Sequence, residues 1–277
     1  MTCATQPLTT ADASAERRST SYSVLTSAME RHEGAWTACP GEDWRQGRTL
    51  FGGLTAALCL EAAAREFTDL PPLRSAQFAL MAPHSGTVRI RAELLRRGKS
   101  AAFVSTDLSG ESGLATRATL CFAQGRHSAH SFQGITAPAV AHPDLCRPFP
   151  RKPKFAQHFD AGFAGGSVPY SEAEDPTTLL WYRFRDDAKN VSLPMLTAIA
   201  DAAAPAMMAR VREMPPLSTM TWAVHYLSEQ PTTENGWWLL RTSAESARNG
   251  YTTESVTIWN STGEPILVGR QTLALFA

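Results

Sequence analysis

The chain has 277 residues, of which 43% are hydrophobic, and it carries 26 basic and 26 acidic side chains. This length is sufficient for one large domain or two of ordinary size with a well-developed core. The zero net charge argues against a nucleic-acid-binding protein, since phosphate binding needs a basic face.

The composition also argues against a secreted or membrane protein. Residues 1–20 are rich in Ser, Thr and Ala and lack the apolar segment of a signal peptide, so we expect a flexible tail there. No stretch is long and apolar enough to span a bilayer. The five cysteines are odd in number and form no C-x-x-C pair, so we expect reduced thiols in a cytoplasmic protein, not disulfides or a zinc site.

The first half of the chain, residues 21–125, is predicted to hold one long helix and several strands. Leu54–Phe67 combines small and apolar residues with late charges and is typical of a helix. A short strand is expected at Ala35–Ala38, before a loop that ends on Gly52-Gly53. After the helix, alternating patterns separated by turns predict four strands: Arg74–Met81, Thr87–Arg96, Ala101–Leu108 and Leu114–Ala123.

Residues 126–176 differ from their surroundings, with many Pro, His and Gly and little periodicity. We interpret them as a long linker between two halves. The histidines His127, His130 and His142 lie here without the fixed spacing of metal ligands. We therefore expect solvated side chains and no metal site.

The second half, residues 177–277, repeats the pattern of the first. A strand is predicted at Thr178–Arg185 and a helix at Leu193–Val211. Four strand-like segments follow: Ser218–Leu227, Gly236–Ser243, Tyr251–Trp259 and Ile266–Phe276.

The two halves also share short sequences, which indicates an internal duplication. RATLCFA, from Arg117, resembles RQTLALFA, from Arg270, and RRGKS, from Arg96, occupies the same turn as ARNGY, from Ala247. A long helix followed by an antiparallel sheet that must cover it implies a sheet curled around a central helix. The sequence thus predicts an α+β double hotdog: two repeats, 21–125 and 177–277, joined by the linker.

One acid stands out in the second predicted helix. Asp201 is the single charge in the run LPMLTAIADAAAPAMMA, from Leu193 to Ala209. A carboxylate in a buried helix is costly unless hydrogen-bond donors meet it. Pro205 lies four residues later and cannot donate to the Asp201 carbonyl, so we expect a kinked or loosened helix there. From this feature alone, a structural Asp and a catalytic Asp are equally good interpretations.

Several segments resemble one family, the double-hotdog acyl-CoA thioesterases of the TesB type. They are LFGG with the helix that follows, from Leu50; the RRGKS hairpin; and SAESARNGY, from Ser243, in which Asn249 departs from the family pattern. The resemblance implies hydrolysis of acyl-CoA without a metal or organic cofactor. Because exposed sheet edges of hotdogs usually find partners, we also expect a homodimer or higher homo-oligomer.

The resemblance further implies three catalytic residues: Asp201 in the second helix, Thr219 at the start of the next strand and Gln271 in the last strand. The family's Thr-x-Asp-x-Ser/Thr pattern falls on STMTWAVHYL, where Thr221 replaces the Asp. Either Thr219 or Thr221 can therefore hold the hydroxyl role, and two residues of spacing on a strand predict that both share one face. In this scheme Asp201 is the general base for water, and Thr219 and Gln271 orient the water.

Two other functions remain open: a non-catalytic acyl-CoA binding protein, and a hydratase or dehydratase on a hotdog scaffold. No G-x-S-x-G elbow or phosphate-binding loop supports another hydrolase class. A solvated hairpin is the preferred interpretation of Arg96, Arg97 and Lys99, ahead of a coenzyme A phosphate site. The duplication also raises the question of a second site. In the first half Ala118 aligns with Gln271, and the position opposite Thr219 falls near Leu73, so we expect one site per chain.

Overall fold

The computed structural model describes residues 20–150, 152–186, 191–213 and 215–276. The predicted tail therefore lies outside the described residues, except Thr20. The described α-helices are α1, Tyr22–Ser27; α2, Gly52–Glu66; and α3, Leu193–Ala200. Short 3₁₀ helices occupy Glu42–Trp44, Pro143–Leu145, Lys154–His158 and Ala206–Arg210.

Six strands of the first half form one side of a long antiparallel sheet, in the order β1-β2-β6-β7-β8-β5. Their bounds are β1 Glu30–His32, β2 Ala35–Ala38, β5 Leu73–Leu80, β6 Val88–Arg97, β7 Ala101–Gly110 and β8 Gly113–Ala123. A separate hairpin of two-residue strands, β3 Arg45–Gln46 and β4 Thr49–Leu50, precedes helix α2.

The second half continues the same sheet in the order β12-β15-β14-β13-β11-β10-β9. These strands are β9 Arg147–Pro148, β10 Phe159–Gly166, β11 Thr177–Phe184, β12 Leu217–Tyr226, β13 Trp238–Arg248, β14 Tyr251–Trp259 and β15 Pro265–Leu275. Strands β9 and β10 fall within residues 126–176, so the predicted linker contributes two strands to the sheet edge. Its Gly-rich β10, FDAGFAGG, hides the alternation by which strands are recognised.

The order of strands repeats across the two halves. Strands β2-β6-β7-β8-β5 correspond to β11-β13-β14-β15-β12, and β5 pairs with β12 to join the halves. At this junction Phe78 lies opposite Trp222, with ring centroids 5.5 Å apart. The predicted α+β double hotdog is confirmed.

Helices α2 and α3 and one face of the sheet enclose the main hydrophobic core. The alternation of side chains in β6 shows why only one face of the sheet is buried. Val88 and Ile90 are fully buried, while Arg89 and Arg91 between and after them are exposed. Helix α2 packs against α3 as well as against β6, β7 and β8. It is therefore buried nearly all round, as its all-apolar first half predicts.

Helix α3 is shorter than predicted. It ends at Ala200, and Asp201 is its C-cap with φ −105° and ψ 3°. The expected helix to Val211 is wrong beyond Asp201, since residues 202–205 are irregular and a 3₁₀ helix follows. Pro205 has no N–H to bond the Asp201 carbonyl, so the helix ends where the sequence predicts a kink. This places the carboxylate at a helix end instead of mid-helix.

Candidate active site

The carboxylate of Asp201 lies against the N-terminus of the first half's helix, α2. The backbone N–H of Gly53 donates a hydrogen bond to it. A Cβ atom added to Gly52 would lie only 2.9 Å from Asp201 Oδ2. The first N–H groups of a helix have no partner within the helix and carry partial positive charge. Asp201 therefore lies where an anion is stabilised, at a contact between the two repeats.

The Gly-Gly pair of the LFGG segment makes this contact possible. Whereas Gly52 leaves room for Asp201, a Cβ on Gly53 would lie 2.8 Å from the backbone oxygen of Ala198 in α3. Phe51, the N-cap of α2, supplies no side-chain hydrogen bond to the helix. The two helices therefore approach at backbone distance, and the first turn of α2 is left to interact with Asp201.

The pKa of Asp201 is shifted towards neutrality. Burial raises it from 3.8 to about 7, the Gly53 N–H opposes this rise, and the charge of Glu254 adds to it. In the part of the chain that the structure describes, Asp201 forms no ion pair. A carboxyl group whose pKa lies near 7 is suited to accept and release a proton at neutral pH.

Sequence reasoning missed Glu254, a second acid next to the Asp201 site. It lies in β14 with only 1% of its surface exposed. The N–H of Ala206 donates to Oε2 at 2.9 Å, and the N–H of Met207 donates to Oε1 at 3.0 Å. Burial raises the pKa of Glu254, and these two hydrogen bonds oppose the rise. Its signal in the sequence was its inward position, two residues before Val256 and four before Ile258.

Gln271 lies directly beside Glu254. The antiparallel register pairs Gln271 with Glu254 on one side and with Trp222 on the other, so the three side chains share the inner face of the sheet. The Gln271 Oε1 atom is buried and accepts no hydrogen bond from any described residue. Gln271 thus neighbours Glu254, and the Glu254 charge acts on Asp201; we call these three residues the cluster.

Thr219 and Thr221 do not share a face, and our prediction that they do is wrong. The register shifts between them: Thr219 pairs with Leu273 and Thr221 with Thr272, which leaves Met220 as an extra residue. Leu273 is buried on the same face as Gln271, so Thr219 points inward, whereas Thr221 is exposed on the outer face. Among the described residues, no hydrogen bond joins Thr219 to Asp201 or Gln271.

Comparison with protein-family models gives two matches. The acyl-CoA thioesterase N-terminal domain matches residues 40–123, and the acyl-CoA thioesterase C-terminal domain matches residues 136–275. The chain belongs to the acyl-CoA thioesterase family. Both halves of this thioesterase-family chain are therefore accounted for, and the TesB-type resemblance is confirmed. No curated protein sequence matches the chain.

Solved structures support the fold. A conserved hot dog protein of unknown function from Alicyclobacillus acidocaldarius superposes with a TM-score of 0.82 at 20% identity, over 91% of this chain and 97% of that one. An acyl-CoA thioesterase II, TesB2, from Mycobacterium marinum gives 0.72 at 16% identity, over 91% and 96%. A tesB protein of Mycobacterium avium subs paratuberculosis gives 0.73 at 16% identity, over 91% and 97%.

The first repeat of this thioesterase-family chain contains a counterpart of the cluster without its carboxyl and amide groups. Aligning LTAALC, from Leu54, with LTAIAD, from Leu196, places Cys59 at the position of Asp201. The register then places Thr106 at the position of Glu254 and Ala118 at that of Gln271. All three are fully buried, and burial raises the pKa of the Cys59 thiol to about 12.

The same register corrects one detail. The first-half position that corresponds to Thr219 is Ala76, which pairs with Leu120 as Thr219 pairs with Leu273. We predicted a position near Leu73, three residues before Ala76, and the bulge at Met220 accounts for one residue of this difference. Ala76 also lacks a hydroxyl group.

The remaining sequence-level candidates lie away from the cluster. His127, His130 and His142 are exposed, and within the described ranges no group of three or more His, Cys, Asp or Glu has a metal-binding arrangement. Arg97 is held by Asp69 in a bidentate pair with distances of 3.0 and 2.9 Å. No helix that the structure describes is long and apolar enough to cross a membrane.

Proposed function

We propose that this protein hydrolyses acyl-CoA thioesters to a free acid and coenzyme A, with Asp201 as general base for the attacking water. The observation that carries the proposal is the position of Asp201, a desolvated carboxyl group at the N-terminus of α2 with a pKa of about 7. A base of that acidity is near the optimum for proton transfer at neutral pH.

In the proposed reaction, Asp201 takes a proton from water while the water oxygen attacks the thioester carbonyl carbon. The negative charge that develops on the carbonyl oxygen is stabilised by the N–H groups at the first turn of α2. Once Asp201 is protonated, the Gly53 N–H is released from the carboxylate and can serve this oxygen. The C–S bond then breaks, and the proton passes from Asp201 to the leaving thiolate of coenzyme A.

Gln271 is the proposed water-orienting residue. Its buried Oε1 has no partner among the described residues and can accept a hydrogen bond from the water. Thr219, on the same inner face, remains our choice for the hydroxyl role, and Thr221 is dropped from it because it faces outward. The cytoplasmic location and the homo-oligomeric state stay predictions from the sequence.

The experiment is a thiol-release assay over a panel of acyl-CoA thioesters, from short to long and branched chains. The wild type should release coenzyme A from at least one member, and Asp201→Asn should bind that substrate without hydrolysing it. Binding without release by the wild type would instead favour an acyl-CoA binding protein. Hydration of an enoyl-CoA without thiol release would favour a hydratase.

A further inference from the structure

Glu254 is a buried acid for which the proposed hydrolysis has no role so far. Burial of this carboxylate is unfavourable, because removing a carboxylate from water costs several kcal/mol unless it is fully hydrogen-bonded or paired. Both its oxygens are met by backbone N–H groups. In the described part of the chain, no Lys, Arg or His forms an ion pair with it.

The double-hotdog fold itself does not require an acid at this position. In the first repeat the same place in the sheet is held by Thr106, whose hydroxyl lies next to Cys59. The corresponding helix and strand positions therefore carry different residue pairs in the two repeats. The first repeat has Cys59 and Thr106, and the second has Asp201 and Glu254. The two acids therefore occur together in the second repeat, and both are absent from the corresponding positions of the first.

Glu254 also holds the chain segment that follows Asp201. Residues 202–205 are irregular and end on Pro205, so few of their backbone groups can bond within the segment. At one end, the Tyr182 hydroxyl donates to the Ala202 oxygen at 3.2 Å. At the other end, Glu254 accepts the two N–H groups that begin the 3₁₀ helix. Asp201 is thus anchored to the sheet at two points within six residues.

The titratable groups that face this cluster are few. Asp201 comes from the end of α3, Glu254 from β14 and Tyr182 from β11, and burial raises the pKa of Tyr182 further above its usual value. From the 3₁₀ helix, Arg210 turns away and donates to the backbone carbonyl oxygen of Glu174. From β15, Arg270 lies on the outer face and pairs with Glu245 at 2.6 Å. No cation therefore separates the two carboxylates among the described groups.

We propose that Glu254 is a positioning residue for Asp201: through the N–H groups of Ala206 and Met207 it fixes the segment 202–207 on the sheet, and its carboxylate repels the charge of Asp201. This inference rests on the proposed role of Asp201 as base. The fixing of the segment and the effect of the Glu254 charge can be separated by mutation. Glu254→Gln removes the charge, whereas Glu254→Asp keeps the charge on a side chain one methylene too short to meet both N–H groups.

The first test follows the Asp201 carboxyl directly, by carbon-13 NMR of protein with labelled aspartate, and needs no substrate. Asp201→Asn removes one signal and so assigns it. We expect the titration of Asp201 to move to lower pH in Glu254→Gln and to stay near the wild-type midpoint in Glu254→Asp. The control is Glu245→Gln, which removes an outer-face carboxylate from the same repeat. Equal midpoints in wild type and Glu254→Gln, or an equal displacement in Glu245→Gln, would overturn the coupling.

A reciprocal measurement keeps the proposal testable if Glu254→Gln does not fold. Because the charge of Glu254 acts on Asp201, Glu254 ionises first, while Asp201 is still protonated. In the wild type, labelled glutamate should therefore show a second step in the Glu254 signal at the midpoint of Asp201, and this step should be absent in Asp201→Asn. A Glu254 signal with no step at the Asp201 midpoint would overturn the proposal.

The activity measurement separates this inference from the hydrolysis itself. In Glu254→Gln the acid limb of the kcat profile should move to lower pH, while in Glu254→Asp kcat should fall with KM little changed. An unchanged kcat and pH profile in both variants would overturn the positioning role. If the wild type releases no thiol from any acyl-CoA, the proposed hydrolysis fails, and the NMR titrations still decide whether the two carboxyls are coupled.

Discussion

At the scale of single residues, the ionisation of Asp201 has opposite effects on activity and stability. Its ordinary pKa is 3.8, and in the folded protein it is about 7. As a base it acts only when deprotonated, whereas the fold tolerates it best when it is neutral, because burial disfavours the charge. The contribution of Asp201 to stability should therefore be largest below the pH range in which the protein is most active.

Thiol release should accordingly rise with pH to a plateau, with a midpoint near 7. Asp201→Asn should lower kcat by about 10²–10⁴-fold, since an amide cannot accept the proton from water. Stopped-time thiol assays between about pH 5 and pH 9 measure both effects. A flat profile, or an Asn variant with near-normal turnover, would show that another group is the base.

Stability should depend on pH in the opposite direction. Between about pH 4 and pH 7 the folded protein keeps the Asp201 proton and the unfolded chain releases it. The free energy of unfolding should therefore fall as pH rises, by up to about 1.4 kcal/mol per pH unit for this one proton. Urea unfolding of wild type and Asp201→Asn across this window tests it. The Asn variant should show the shallower slope, and parallel slopes would contradict the raised pKa.

The two threonines of β12 give a matched pair of variants. Thr219→Ala and Gln271→Ala alter the inner face and should lower kcat by about 100-fold, the cost of losing orientation of a reacting water. Thr221→Ala alters the outer face and should leave kcat unchanged, with all three variants melting within a few degrees of the wild type. A larger loss in Thr221→Ala than in Thr219→Ala would contradict the register that the bulge at Met220 creates.

At the scale of elements, most strands were predictable because apolar and polar residues alternate in them, as in β6. Three structural features were not predictable from the sequence: the bulge in β12, strand β10 and the end of helix α3. The bulge at Met220 changes which threonine faces inward, yet no turn residue marks it. Strand β10 is rich in glycine and lacks alternation. Helix α3 ends at Ala200 with Asp201 as its C-cap, whereas Pro205 predicted only a kink or loosening in a helix that continues to Val211.

The contact between helices gives a prediction for the two glycines that begin α2. Gly52→Ala places a methyl group 2.9 Å from Asp201 Oδ2, so the carboxylate must move, and kcat should fall by about 100-fold. Thermal stability should change little, since Ala is favoured over Gly within a helix.

Gly53→Ala should behave differently, because its methyl group would meet the Phe51 ring at 2.5 Å and the Ala198 oxygen at 2.8 Å. Overpacking of this kind costs about 1–3 kcal/mol and should lower the melting temperature. Gly98→Ala, where the nearest atom is 3.5 Å away, is the control. Equal kcat values in Gly52→Ala and Gly98→Ala would argue against the proposed contact.

At the scale of the whole molecule, the duplication was visible in the sequence from similar short segments such as RATL and RQTL. The site itself was only partly visible. Asp201 stood out as a lone charge, and Gln271 and Thr219 came from the resemblance. Glu254 was missed because its importance depends on the register between β14 and β15 and on the return of residues 206–207 to the sheet. Such contacts join parts of the chain that are distant in the sequence, so no local sequence pattern predicts them.

The last prediction concerns the number of sites in each chain. The pseudo-symmetric fold offers two equivalent places, but the first holds Cys59, Thr106 and Ala118, and none of these can act as a base at neutral pH. Calorimetric titration with a non-hydrolysable acyl-CoA analogue should therefore give one site per chain. Cys59→Ala, which removes the thiol at the position equivalent to Asp201, should keep full thiol release and the same stoichiometry, whereas Asp201→Asn should lower release by about 10²–10⁴-fold. A stoichiometry of two, or hydrolysis in Asp201→Asn that disappears only when Cys59 is also replaced, would show that the first repeat is catalytic.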